Sequence, residues 1–440
     1  MAIYTYIKDI DRGGFARVLL VQNEYGVLFA MKVLDPSPQL AHVPIDQIKR
    51  RFEREVKYQQ ALHHPNIVSI VDVDTNNNPP YCVMEFATGG TLAKDLAFDH
   101  TLAGNPKPAL FDILSGLDFL AKKGIIHRDL KPQNVLKFLN SDGTFRYAIS
   151  DFGLMDPGAT DSTTLTVTGA QGGTAFYAAP ELMQDFSRAT VRADIYSFGA
   201  ILHDIFVAQP RIPYTKLTAS PPIGPILEKC TETNPSRRYA SISELREDLF
   251  AALSTAQLFF TSSKEQRAVE LLGEHRDLSS DEWDKIFLAL DENEAKSTAN
   301  DNIFRALRNE HIVQLNQDSL QLVKSLGMRY CKFAMSQGFE FSYCDIISAK
   351  LETLFAIGDI ELKAFVLLAL LELGVSHNRW AVERAFYHRT MADADANVIN
   401  RFLLEVQVRG YPIKMRIQHL LVSISANAEF FHSLLKAALA

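Results

Sequence analysis

Between residues 4 and 34 apolar and polar side chains alternate, with β-branched and aromatic residues prominent, and the alternation breaks at Arg12-Gly13-Gly14 and at Glu24-Tyr25-Gly26. A period of two interrupted by turn residues predicts three antiparallel strands. From Ile45 to Leu62 the period changes. Ile48, Phe52, Val56 and Leu62 recur at roughly helical spacing, and Glu55, one turn beyond Arg51 and beside that stripe, faces inward. A strand follows at Tyr81–Ala87. In residues 108–122 a second helical stripe, Leu110, Ile113, Leu114, Leu117 and Leu120, leads into a polar stretch at His127–Asn134. Residues 135–150 read as a hairpin turning at Asn140-Ser141-Asp142-Gly143, and Ser241–Leu253 as an amphipathic helix.

Beyond Ser254 the pattern is helical throughout. Residues 262–440 hold one proline, Pro412, and stripes such as Trp283, Ile286, Phe287 and Leu290, or Ile417, Leu420, Leu421 and Ile424. Breaks at Gly273, Gly327, Gly338, Gly358, Gly374 and Gly410 predict seven to nine helices. No fixed period marks a repeat family, so an α-solenoid-like or irregular bundle is expected. His377, His388 and Trp380 read as packing residues rather than ligands.

Composition narrows the setting. The 440 residues are 47% hydrophobic and 22% charged, an ordinary globular balance with room for two or three domains. A net charge of −7 gives no support to nucleic-acid binding. Cys82, Cys230, Cys331 and Cys344 lack CxxC spacing and read as reduced, mostly buried thiols. The start, MAIYTYIKDIDRGG, lacks a basic region followed by an apolar run, so no signal peptide is expected. The most apolar run, Ala364–Leu371, is closed by Glu372 and is far shorter than a membrane span. The expectation is a soluble, cytoplasmic protein that binds no membrane.

The densest chemistry lies in His127-Arg128-Asp129-Leu130-Lys131-Pro132-Gln133-Asn134-Val135-Leu136, with Asp151-Phe152-Gly153 beginning seventeen residues after Asn134. Asp129 can accept a hydroxyl proton and hold the acceptor in place. Asn134 is far enough along for a short loop to turn its amide oxygen toward a hard cation. Asp151 offers a second oxygen ligand, as magnesium prefers. Lys131 can reach a migrating phosphate. These are the groups that phosphoryl transfer needs, because the transferred group asks for alignment and charge neutralisation more than covalent help.

HRDLKPQNVL matches H-R-D-L-x-x-x-N in every defined position. With DFG it resembles the catalytic loop of the eukaryotic-type serine/threonine protein kinases. The resemblance covers about residues 4–255 and implies an α+β, bilobal protein kinase fold. Its antiparallel β-sheet N-lobe would span about 1–87 and its mainly helical C-lobe about 88–255 of a kinase domain at 1–255. An all-α regulatory or partner-binding domain would follow at 262–440, with a partner that the sequence does not identify.

The resemblance also implies ATP and Mg2+ as cofactors and a protein substrate carrying a serine or threonine hydroxyl. Asp129 and Lys131 would be catalytic, and Asn134 and Asp151 would hold metal. The hairpin Ile10–Val18 resembles the glycine-rich loop, so Ile10, Gly13, Gly14 and Val18 would contact nucleotide. Asp11 and Ala16 stand where the first and third glycines of G-x-G-x-x-G would be, and a carboxylate at Asp11 would repel phosphate unless it points away. Phe29-Ala30-Met31-Lys32-Val33 resembles the V-A-I-K strand, so Ala30 would line the nucleotide site and Lys32, paired with Glu55, would hold the α and β phosphates. Met84 would sit behind the adenine, with the backbones of Glu85 and Ala87 as its hydrogen-bond partners and Leu136 as its floor.

Gly173-Thr174-Ala175-Phe176-Tyr177-Ala178-Ala179-Pro180-Glu181 resembles the end of an activation segment, and Lys131 with Thr174 fits the serine/threonine class. Six hydroxyls, Thr160, Ser162, Thr163, Thr164, Thr166 and Thr168, lie where a phosphate would meet Arg128, so autophosphorylation is expected, in trans if the tail drives self-association. Asp194 would cap the catalytic-loop backbone and Arg238 would pair with Glu181. Between the Arg192–Gly199 stretch and Asn234–Tyr239, prolines 210, 213, 221, 222 and 225 imply that the helix the family usually places there is reduced. The alternative reading is a pseudokinase or scaffold that binds nucleotide and partners without phosphoryl transfer, resting on the altered glycine-rich loop. In a third reading the kinase controls a binding effector in residues 262–440.

Overall fold

Alternating side chains between residues 4 and 34 give three strands because each can then present an apolar row to one face of a sheet. The computed structural model describes residues 3–38, 43–139, 144–151, 174–183, 189–254, 260, 262–274, 277–292 and 300–440. Strands β1 (Tyr4–Arg12), β2 (Ala16–Asn23) and β3 (Leu28–Leu34) pair in sequence, and β4 (Ile70–Asp74) and β5 (Tyr81–Glu85) complete a five-stranded antiparallel sheet in the order β1-β2-β3-β5-β4. Register sets Lys32 between Val18 and Cys82, and Ala30 between Leu20 and Met84. Helix α1 (Ile45–Gln60) covers that face, its Ile48, Phe52 and Val56 packing into one cluster with Ala30, Cys82 and Met84.

The chain divides into two units, Met1–Ser254 and Thr255–Ala440. The rest of the first unit is mainly helical: α2 (Leu92–Phe98), α3 (Lys107–Lys122), the hairpin β6 (Val135–Leu139) and β7 (Phe145–Ile149), α4 (Val191–Phe206), α5 (Gly224–Cys230) and α6 (Ile242–Leu253). Helices α3 and α4 are buried almost all round, and both rely on a glycine for close approach. A Cβ on Gly116 would lie 2.7 Å from the Asn66 carbonyl oxygen, and one on Gly199 would lie 2.7 Å from Cys230 Cβ. Among the described residues no helix forms between Val207 and Pro222, in keeping with the prolines there. The turn expected at residues 140–143 lies outside the described residues.

The second unit has eleven α-helices among its described residues, more than the seven to nine expected: α7 (Ser263–Gly273), α8 (Ser280–Glu292), α9 (Asp301–Ala306), α10 (Asn309–Asp318), α11 (Leu320–Ala334), α12 (Phe341–Ile357), α13 (Ile360–Ser376), α14 (Trp380–Arg389), α15 (Ala396–Val408), α16 (Ile413–Ser423) and α17 (Ser433–Leu439). Two of the glycines taken for breaks are not breaks. Gly327 lies inside α11 and Gly374 inside α13, where a Cβ would come within 2.8 Å of Leu362 and 2.9 Å of Glu383 respectively. Boundaries arise instead at polar caps. Ser319 ends α10 and caps α11 through its side chain, with no glycine or proline at hand. The apolar run 364–371 is the middle of α13, which packs against α11, α12, α14, α15 and α16. That surrounding explains an almost uniformly apolar helix. No helix among the described residues is long and apolar enough to cross a membrane. All four cysteines are unpaired and buried.

Close approach at Gly374 buries Glu383 of α14 completely. Its Oε2 accepts a 2.5 Å bond from Ser423 Oγ, while Oε1 has no partner among the described residues. Burial pushes the carboxyl up to about 7 from 4.5, and the Ser423 bond offsets only part of that. A carboxyl raised in the folded state favours folding while protonated. That stability is complete below its unfolded value and is lost as pH rises through about 7. Glu383→Gln is therefore expected to stabilise the second unit increasingly between about pH 5 and 7, approaching roughly 3 kcal/mol above that range. Urea unfolding at a series of pH values measures it, and a pH-independent difference from the wild type would contradict it.

Candidate active site

Asp194, in the first turn of α4, is buried and accepts from the backbone N–H groups of His127 (2.8 Å) and Arg128 (2.9 Å). Burial raises its carboxyl above the ordinary value, against the pull of the His127 and Arg128 contacts. The His127 ring accepts from Asp129 N–H at 3.3 Å through Nδ1 and lies 3.0 Å from the Ser150 carbonyl through Nε2, so the proton is assigned to Nε2. Arg128 and Asp151 both sit at positive φ, 67° and 55°. Non-glycine residues hold this conformation only where their surroundings dictate it, and here the Asp194 bonds anchor Arg128.

Within this frame Lys131 Nζ donates to both oxygens of Asp129, at 2.9 and 3.1 Å, and to Thr174 Oγ1 at 2.9 Å. The turn Pro132–Asn134 carries Asn134 back, so that its Nδ2 donates to Asp129 O at 2.8 Å and to Asp129 Oδ2 at 3.2 Å. The amide oxygen then lies on the other edge of the side chain. Val135 and Ile149 pair across β6 and β7, and Ser150 N–H donates to Asn134 O at 2.8 Å, which brings Asp151 beside Asn134.

Lys32 reaches this site from β3. Its Nζ lies 2.7 Å from Glu55 Oε1 and 2.6 Å from Asp151 Oδ1. Burial alone would lower the ammonium's pKa, but Asp151 and Glu55 more than offset it and hold it above its ordinary value. Lys32 in turn keeps the Asp151 carboxyl below its ordinary value. Ala30 and Met84 are buried beside partly buried Val18, Ala87 and Leu136, which together form an apolar wall next to Lys32. Ile10 is exposed on β1.

The hairpin tip is closed by Gly13 N–H donating to Ala16 O at 2.9 Å. Its outer end is tied to the exit of β3, where the N–H groups of Asp35 and Ser37 donate to Phe15 O and Gly14 O. The Asp11 carboxylate turns onto its own loop and accepts from Arg12 N–H at 2.8 Å.

The sequence did not point to several residues here. Arg51 lies 4.7 Å over the Phe15 ring at the hairpin tip. Arg146 on β7 binds the Glu85 carboxylate and donates to Pro65 O at 2.6 Å, while Ser69 N–H donates to Glu85 Oε1 at 3.0 Å. Arg211 binds Asp204 and touches Phe176 and Tyr177. These are contacts between distant segments with no periodic signal. Arg238, fully buried, meets Glu181 through two bonds of 2.7 and 2.8 Å. Phe152, Gly153, the hydroxyls from Thr160 to Thr168, and Gly173 lie outside the described residues.

Among the described residues no group of three or more His, Cys, Asp or Glu is arranged to hold a metal. Magnesium asks for less, since it is commonly held by one or two protein oxygens with water and phosphate completing an octahedron. Asn134 and Asp151 fit that requirement.

The sequence pattern of the protein kinase domain family matches residues 4–250. The probable serine/threonine-protein kinase PknB of Lactococcus lactis subsp. lactis is 34% identical over 276 residues, 57% of this chain and 42% of that protein. CBL-interacting protein kinase 8 of Oryza sativa subsp. japonica is 36% identical over 202 residues, 46% of this chain and 43% of that protein. Serine/threonine-protein kinase PknB of Mycobacterium leprae is 33% identical over 227 residues, 45% of this chain and 35% of that protein. The chain thus spans less than half the length of each of these curated relatives.

Proposed function

The chain belongs to the protein kinase domain family, and from that premise we propose that it transfers the γ-phosphoryl group of ATP to serine and threonine hydroxyls of protein substrates. What carries this reading is the presence, in one unit, of two hydrogen-bonded sets, Lys32 with Glu55 and Asp151, and Asp129 with Lys131 and Asn134, joined through the backbone bond from Ser150 N–H to Asn134 O. Asp129 orients the acceptor hydroxyl and takes its proton. Lys131, already bonded to Asp129, steadies the phosphate as it moves. Lys32, held between Glu55 and Asp151, grips the nucleotide phosphates, and the wall of Val18, Ala30, Met84, Ala87 and Leu136 encloses the adenine. Asn134 and Asp151 are the residues that would hold magnesium, which when bound neutralises charge spreading over the phosphate oxygens. The scaffold alternative rested on the altered glycine hairpin. With the Asp11 carboxylate engaged by Arg12 N–H, that ground weakens.

The reading extends to autophosphorylation on Thr160–Thr168 and to control of the kinase by the helical second unit, through a partner or a second copy of the chain. Incubation of the full chain with γ-labelled ATP and magnesium is expected to label the protein within that segment. A version ending near residue 256 is expected to keep transfer to an added acceptor, because the first unit has its own core. Absence of label on both the chain and an added acceptor would sink the kinase reading. Loss of transfer on truncation alone would make the second unit part of the active enzyme.

A further inference from the structure

Thr174, the partner of Lys131, opens the single turn Thr174–Phe176, and the N–H groups of Tyr177 and Ala178 donate back to its carbonyl at 3.0 and 3.1 Å. Whatever fixes Phe176 and Tyr177 therefore fixes Thr174, and with it the Lys131–Asp129 pair.

Arg211 does this from the helix-free stretch between α4 and α5. Its Nε donates to Phe176 O at 3.2 Å, and its guanidinium lies 4.7 Å over the Tyr177 ring. Both terminal nitrogens bind Asp204 on α4, Nη1 closely and Nη2 at 3.4 Å. The Tyr177 hydroxyl donates to the same carboxylate at 2.7 Å. Only 8% of the Arg211 side chain is exposed. Its charge is thus spent on Asp204, and it is not a free cation awaiting a substrate.

Resting on the kinase reading, we propose that Arg211 is a positioning residue for the protein acceptor: it locks the 174–177 turn so that Thr174 holds Lys131 and Asp129 in register with the incoming hydroxyl. Three faces of the guanidinium are used at once, the Nε edge on a carbonyl, the Nη edge on a carboxylate and the plane on a ring. Lysine offers only a point charge and cannot reproduce this set.

The test compares full-length wild type, Arg211→Lys and Arg211→Met, with myelin basic protein as acceptor and a fluorescent ATP analogue to read nucleotide affinity. Misplacement on the order of 1 Å can cost a reaction about 100-fold, so both variants are expected to lose about tenfold or more in kcat/KM for the acceptor. Nucleotide affinity is expected to stay within about twofold, because Lys32 and its partners do not touch Arg211. Arg211→Lys keeps a cation beside Asp204, so it separates positioning from folding. Wild-type acceptor kinetics in Arg211→Lys and Arg211→Met would overturn the proposal, as would an equal fall in acceptor rate and nucleotide affinity. Absence of transfer by the wild type would overturn the kinase reading itself, a result distinct from either.

Discussion

Asp129→Ala is expected to leave a folded protein that binds nucleotide and transfers almost no phosphate. Its carboxylate lies partly open to solvent, and its contacts are Lys131 and Asn134, so little of the core depends on it. Its loss removes the group that takes the acceptor proton, and positioned proton acceptors contribute about 100- to 10,000-fold. It also releases the Lys131 ammonium from one of its two partners. Lys131 and Asp129 act as a unit, so Lys131→Met is expected to add little to the damage already done by Asp129→Ala. Single-turnover transfer from γ-labelled ATP, beside a nucleotide-binding measurement, reads both effects. A rate within about tenfold of wild type would remove Asp129 from the mechanism.

The clarity of that site in the sequence has a physical cause. The groups between His127 and Asn134 are carried on one short loop, so their spacing along the chain is nearly their spacing in space. Lys32 and Glu55 lie farther apart, yet strand alternation and helix periodicity turn both toward the same interior. Arg211 and Arg146 obey no such rule. Arg146 reaches Glu85 across 61 positions, and Arg211 reaches Phe176 across 35. Each contact depends on how loops fold back, which no period encodes.

Asp11 illustrates a second limit. Its position in the hairpin was plain, but the direction of its carboxylate was decided by a neighbouring N–H. In the second unit, the sequence pattern makes glycine look like punctuation, whereas at Gly327 and Gly374 it serves close packing inside helices. Both uses exploit the missing side chain, and only the neighbours tell them apart.

Glu181→Leu and Arg238→Met are each expected to destabilise the first unit by about 3–5 kcal/mol, while the double variant costs far less than their sum. Arg238 is fully buried and Glu181 is 14% exposed, with two short bonds between them. Arg238 also donates to the carbonyls of Arg192, Glu232 and Thr233, so it joins the end of the 174–183 segment to the start of α4. Removing Glu181 leaves a fully buried cation without its carboxylate partner. Removing Arg238 leaves a carboxylate with little access to solvent and three carbonyls short of a donor. Most of each single cost is this stranded partner rather than the worth of the pair, and removing both partners removes most of it. Because the chain has two units, its unfolding need not be a single transition. Hydrogen exchange of peptides from α4, followed through the double-mutant cycle, confines the measurement to the first unit. Strict additivity would mean that the pair is a surface-like contact of small value. A double variant as stable as wild type but slower in transfer would mean that the pair is kept for the placement of Thr174 rather than for stability.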